Sequence, residues 1–280
     1  LPCQDNSGCL SGSDYSIAVT SDGHSDYHCF RSDVGSTIAT AVALESLETK
    51  FRDGGLNLFL EDTQCDPEGQ LDVLWKEIVI AWKMRVKEYD NSHPVTDEEK
   101  ERLRARIGRK TSPENVEQVL EDVLSQPVFR FYGCTLRVAI QFENGYILLS
   151  LGDGETIVIR KDGTTESPIP DDDDTQGSET HSMCDDNPFG HCRHFLGNEG
   201  VTGIAVCSDG IHCADESADN RYYIGEFMKR TFKSLSEENW RESFEDSVFS
   251  FTTEFPKDDC SVAFTVCRNP DAESLETVVA

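Results

Sequence analysis

Positive charge is what this sequence has least of: 25 Lys and Arg stand against 53 Asp and Glu in 280 residues, a formal net charge of −28. Without basic patches, little can displace counterions from a phosphate backbone or an anionic lipid surface, so neither nucleic acid nor a membrane is an expected partner. Long apolar runs are missing too. None approaches the ~18 residues that suggest a membrane span, and the opening LPCQDNSGC does not read as a secretory signal. There is no initiator Met, and the expectation is that something upstream has been removed. The eleven cysteines are odd in number and lack paired spacing, which argues against a disulfide framework in a chain of this size. Reduced thiols, a cytoplasmic location and a monomer are expected. A GxxxxGK loop, a GxSxG elbow and a dinucleotide fingerprint are absent, and no acidic run satisfies the EF-hand pattern.

What is present is enough for a folded domain, with 37% hydrophobic residues. Tyr15 to Thr20 reads as a short strand. Asp33 is a candidate N-cap for a helix carrying Val34, Ile38, Ala41, Val42 and Leu44. A clearer helix puts Leu71, Leu74, Trp75, Ile78, Val79, Trp82, Val86 and Tyr89 on one face, as core packing. Two charged helices are expected between Thr96 and Gln126, one opened by a Thr96/Glu99 capping box and one by Ser112-Pro113. They read as a peripheral insertion at about 92–128 whose "KERLRARIGRK" is a solvated face. From residue 134 the period becomes two. Leu136, Val138 and Ile140 alternate, Asn144-Gly145 closes a hairpin, and "YILLSL" returns. Thr156 to Arg160 adds a strand, a polar loop runs from Thr164 to about Asn198, and Gly203 to Cys207 and Cys260 to Cys267 are further strands. Helices are expected to fill 218–247.

Three separate strands carry an aspartate at one end: Asp22, Asp209, and Asp258 or Asp259. Strand termini lie at the rim of a sheet, where acids distant in sequence can converge. Taken singly, each Asp-Gly is more often a turn than a ligand. Together, unpaired carboxylates at one rim repel and raise one another's pKa, a conflict that hard divalent cations remove.

The motifs "QD" at 4–5, "DGH" at 22–24, "GST" at 35–37, "YGCT" at 132–135, "LGDG" at 151–154, "SDG" at 208–210 and "DDCSV" at 258–262 occur in the order seen in metal-dependent protein phosphatases of the protein phosphatase 2C type. The chain resembles the compact bacterial members over nearly its whole length. The resemblance implies an α+β fold, a four-layer α-β-β-α sandwich with two central, mostly antiparallel sheets flanked by helices, forming a single catalytic domain over 1–280. It implies two Mn²⁺ or Mg²⁺ ions and a water between them that attacks phosphoserine or phosphothreonine in phosphorylated protein substrates. On that pattern Asp22 bridges the ions, the carbonyl of Gly23 completes one shell, Asp209 and Asp258 hold the other ion, and Asp5 acts directly or through water. Asp153 matches an acid that helps hold a third, weaker metal, or else is a turn aspartate. His24 is either the group that protonates the departing oxygen or a histidine hydrogen-bonded in a turn.

The chain departs from the family in two places. Gln4 stands where many members have an acid, and the phosphate-gripping Arg expected upstream of the first motif would precede residue 1. Arg31 is a tentative substitute, because a guanidinium suits phosphate bidentately; a surface or helix-start role is its other reading. The stretch "HSMCDDNPFGHCRH" gathers His181, Cys184, His191, Cys192 and His194, soft donors that suit zinc, although a loop at the mouth of the site is preferred. A catalytically weak or inactive relative acting as a binding module is the alternative function.

Overall fold

The computed structural model describes residues 2–170, 180–211, 220–236, 238–254 and 259–267. In chain order its strands are β1 (Asn6–Ser11), β2 (Tyr15–Ser21), β3 (Leu136–Phe142), β4 (Gly145–Leu151), β5 (Glu155–Ile159), β6 (Thr165–Glu166), β7 (Arg193–Gly197), β8 (Gly203–Cys207) and β9 (Val262–Val266). They form two sheets, in the order β1-β2-β3-β4-β7 and β6-β5-β8-β9. Every strand pairing is antiparallel.

Alternation along the strands sorts their side chains into layers. In β2, β3 and β4 one set, including Ile17, Val19, Val138, Ile140, Ile147 and Leu149, packs with the helices. The intervening Ala18, Ala139, Tyr146 and Leu148 turn the other way, to meet Val158, Ile204 and Val206 of the second sheet. Ile157, Ile159, Ala205 and Cys207 on the far side of that sheet pack on Ile224, Met228 and Phe232. The result is helices, sheet, sheet, helices, as the resemblance implied.

The helical layer on the first sheet is built from α1 (Ser32–Phe51), α2 (Gly55–Cys65) and α3 (Pro67–Ser92). The expected stripe from Leu71 to Val86 is buried on α3, and its indoles are satisfied as buried indoles must be: Trp82 donates to the Gly35 carbonyl at 3.0 Å and Trp75 to that of Arg193 at 3.1 Å. α1 begins two residues earlier than expected, with Arg31 at the cap position and Asp33 inside the first turn, where a negative charge favours the helix dipole. α4 (Asp97–Ile107) opens with the anticipated capping box. Ser112 makes no capping bond, and a short 3-10 turn at Pro113–Asn115 leads into α5 (Val116–Leu124). The second sheet carries α6 (Asn220–Ser234) and α7 (Trp240–Glu254).

Two strands escape a periodicity reading. β1 alternates half-buried and exposed positions along NSGCLS, a segment with one aliphatic side chain. β7 lies within the stretch expected to be loop, pairing Leu196 with Ile147 and His194 with Leu149 of β4.

Candidate active site

Strand register brings the first two acids together. Asn6 of β1 lies opposite Ser21 of β2, so Asp5 and Asp22, one step beyond that pair, leave the sheet side by side. Asp209 follows the end of β8, and Asp153 sits in the turn between β4 and β5. Carboxylate oxygens of Asp22, Asp153 and Asp209 lie within 4.8 Å of one another, and Asp5 and Asp209 both lie against Asp22.

The "DGH" and "YGCT" motifs form one local structure. The Asp22 N–H donates to the Thr135 hydroxyl at 3.0 Å, the Thr135 N–H to the Asp22 carbonyl at 2.8 Å, and the His24 N–H to the Gly133 carbonyl at 3.2 Å. Gly23 is needed between them, because a Cβ there would stand 2.7 Å from the Gln4 carbonyl and 2.8 Å from that of Ser32. These contacts fix the backbone on both sides of Asp22.

Such a cluster does not stay fully ionised on its own. Burial, then the charges of Asp5 and Asp209, push Asp22 up to about 11. Asp5 is raised by burial and by Asp259, and Asp153 by burial and by Asp209. Asp5 Oδ2 and Asp209 Oδ1 are buried without a hydrogen-bond partner. All-oxygen donors with lone pairs left over fit hard cations such as Mg²⁺ or Mn²⁺ better than a thiophilic metal.

A cavity of about 1020 Å³ opens over the cluster, with Asp22, Gly23, His24, Asp153 and Asp209 in its lining. His24 keeps a buried Nε2 without a partner, and burial lowers its pKa below the ordinary histidine value. Across the lining stand Lys110 and Arg130. Each makes a long ion pair, Lys110 to Asp26 at 3.8 Å and Arg130 to Asp186 at 3.9 Å, and Lys110 also lies over the Tyr27 ring.

Four expectations need correction or qualification. Arg31 is not at the cavity: the residue is 5% exposed, and its guanidinium donates to both Glu99 oxygens, to Asp90, to the His93 carbonyl and to the Tyr132 hydroxyl. With its N–H groups so engaged it anchors α4 and the end of α3, and cannot grip phosphate. Gln4 does not turn its amide nitrogen to the acids either; Nε2 donates to the His24 carbonyl at 3.0 Å and to the Ser32 hydroxyl. The soft-donor stretch is dispersed. His181 stacks on His191, with ring centroids 3.4 Å apart, while His194 bonds Glu68 of α3 at 2.8 Å; among the described residues the group with donors close enough to hold a cation is Asp22, Asp153 and Asp209. Asp258 lies outside the described residues. Its neighbour Asp259 accepts the Gln4 N–H at 2.6 Å, on the Asp5 side of the cluster.

The charged helical segment is less peripheral than its composition implies. Leu103 and Ile107 of α4 form a small core with Leu120 and Val123 of α5, and Arg106 bonds the Ser25 carbonyl at 2.9 Å. Lys110, Gln126 and Arg130, which follow these helices, form part of the cavity wall. Sequence reasoning missed Lys110 and Arg130, since nothing local says which charges of a charged segment turn inward.

Residues 1–248 match the family described as Protein phosphatase 2C. No curated protein matches the chain. Among solved structures, a bacterial serine phosphatase is similar at a TM-score of 0.52 and 14% identity, over 94% of this chain and 91% of that one. The Mycobacterium tuberculosis serine/threonine phosphatase PstP/Ppp gives 0.48 and 14%, over 94% and 91%. Serine/threonine phosphatase Stp1 from Staphylococcus aureus gives 0.49 and 12%, over 95% and 89%. With the family match spanning most of its length and the acids gathered at one rim of the sandwich, this chain belongs to the protein phosphatase 2C family.

Proposed function

We propose that the chain is a single-domain, Mn²⁺- or Mg²⁺-dependent serine/threonine protein phosphatase that hydrolyses phosphoserine and phosphothreonine monoesters in phosphorylated proteins. One observation carries this reading: Asp22, Asp153 and Asp209, from three distant parts of the chain, meet within 4.8 Å on the lining of an open cavity. Asp22 would be shared by two ions, with Asp5, Asp209 and the Gly23 carbonyl contributing further oxygens and Asp153 serving a third, weaker site. Asp258 remains in the proposed ligand set by its motif alone. Bound there, the cations supply a water acidified toward neutral pH and charge to offset the phosphoryl oxygens.

The chain's own side chains do the rest. His24, placed two residues from Asp22 with Nε2 unpartnered, is positioned to pass a proton to the departing serine or threonine oxygen when protonated, a form that burial disfavours and the negative charges of Asp153 and Asp209 favour. Lys110 and Arg130 offer the substrate phosphate the positive charge that Arg31 does not. The described residues contain no helix long and apolar enough to cross a membrane. A cytoplasmic location, which the ten described free thiols fit, and a monomer remain part of the proposal.

The binding-only alternative has one observation in its favour: Gln4 brings no charge to the acids and its amide nitrogen is engaged elsewhere. Release of phosphate from a phosphothreonine peptide separates the two. Turnover with Mn²⁺, stopped by EDTA and reduced at least a hundredfold in Asp209→Asn, is the expected result for the enzyme; metal uptake without turnover supports the binding module.

A further inference from the structure

Two sulfurs meet in the wall of the cavity. Cys29 ends the 3-10 turn Tyr27–Cys29 that follows His24, and Cys184 lies in the segment between Thr180 and β7. Both line the cavity, each 8% exposed. A Cβ built on Gly133 would stand 2.7 Å from Cys29 Sγ, 3.0 Å from Cys184 Sγ and 3.0 Å from His24 Cδ2. The two sulfurs flank one point, beside the imidazole read as the proton donor, and each thiol acts on the other.

We propose that Cys29 and Cys184 form a reversible disulfide when a small peroxide enters the cavity. In the first step the Cys184 thiolate attacks one peroxide oxygen; the O–O bond breaks, the sulfur becomes a sulfenic acid, and the other oxygen leaves as water after taking a proton. In the second, Cys29 sulfur attacks the Cys184 sulfur; the S–S bond forms, the S–O bond breaks, and a second water leaves with the Cys29 proton. The two sulfurs together lose two electrons and hydrogen peroxide gains them. A dithiol reductant reverses the change by exchange.

The surroundings favour Cys184 as the first to react. Cys184 has the Ser182 hydroxyl and the Arg130 charge beside it, against burial and the Asp185 charge, whereas Cys29 faces Asp26. Cys134 and Cys207 offer the contrast: both are fully buried, and burial pushes their thiols well up, the setting of an inert cysteine. The Cys184 segment also touches the acid cluster. The Asp153 N–H donates to the Thr180 hydroxyl at 3.0 Å, and the Met183 N–H to the Cys134 carbonyl at 2.9 Å. A bond closed at Cys184 therefore constrains a segment that supports Asp153.

The test is peptide mapping of the whole chain after treatment with hydrogen peroxide, alkylation and digestion without reductant. The expected product is a peptide pair joining Cys29 to Cys184, lighter by two hydrogens than the separate peptides. It should separate with dithiothreitol and be missing from Cys29→Ser and Cys184→Ser, with Cys184→Ala as a second variant and thermal melts to show that each is folded. Alkylation of both residues after peroxide, or the same loss of mass in all three variants, overturns the proposal. The readout involves no turnover, so the phosphatase reading can fail while this one stands, and the reverse.

Discussion

At the residue scale the site depends on buried carboxylate oxygens without a hydrogen-bond partner, Asp5 Oδ2 and Asp209 Oδ1. Asp22 is held up to about 11 by burial and by its acidic neighbours, so cation uptake displaces protons and apparent Mn²⁺ affinity must rise with pH. Titration calorimetry in buffers of different ionisation enthalpy reads the proton release directly, and Asp22→Asn should abolish both the release and tight binding. Arg130 makes a different prediction. A guanidinium that grips phosphate in charge-assisted hydrogen bonds gives binding worth roughly tenfold or more. Arg130→Ala should therefore raise KM for a phosphopeptide by about that factor while changing kcat little, with partial recovery in Arg130→Lys. Equal loss in kcat with KM unchanged would remove Arg130 from the phosphate site. The acids were legible in the sequence because an aspartate directly after an apolar strand has few places to be except the rim. Arg130 was not, because its place depends on how a charged helical segment folds back.

At the element scale, Arg31 decides how α3, α4 and the turn before β3 sit together. Its partners Asp90, Glu99 and Tyr132 lie 59, 68 and 101 residues along the chain, so no window of sequence contains the network. Burial opposes ionisation of Glu99, but Arg31 and the Thr96 cap outweigh it and hold the carboxyl at about 2 against an ordinary 4.5. A carboxylate depressed by folding adds stability above its unfolded value, and that stability is lost as pH falls toward 2. The melting temperature should drop over that window, and Glu99→Gln should flatten the drop. Arg31→Ala leaves acids unpaired in a largely buried setting and should cost about 3 kcal/mol, measured by denaturant unfolding. The helices themselves were readable from their apolar stripes and caps. β1 and β7 were not, since an edge segment such as NSGCLS is specified by its neighbour's backbone and not by its own side chains.

For the whole molecule, the net charge of −28 opposes the approach of any doubly charged phosphate. Screening that field should help, so kcat/KM on a neutral-flanked phosphopeptide should rise between low salt and physiological ionic strength, where the Debye length falls to about 8 Å. A decline over that range would mean that local cations near Lys110 and Arg130 govern encounter instead. The layered sandwich and the order of its motifs were legible from the chain as a whole; the closure of the cavity was not, because its wall comes from Cys29, Lys110, Arg130 and Cys184, residues with no shared spacing. The central claim is that acids from distant strand ends meet to hold paired cations, and anomalous scattering from a crystal soaked in Mn²⁺ tests it most directly. Two peaks sharing the Asp22 carboxylate, one of them also at Asp209, are the predicted result. Manganese bound elsewhere, with no peak at Asp22, would contradict it.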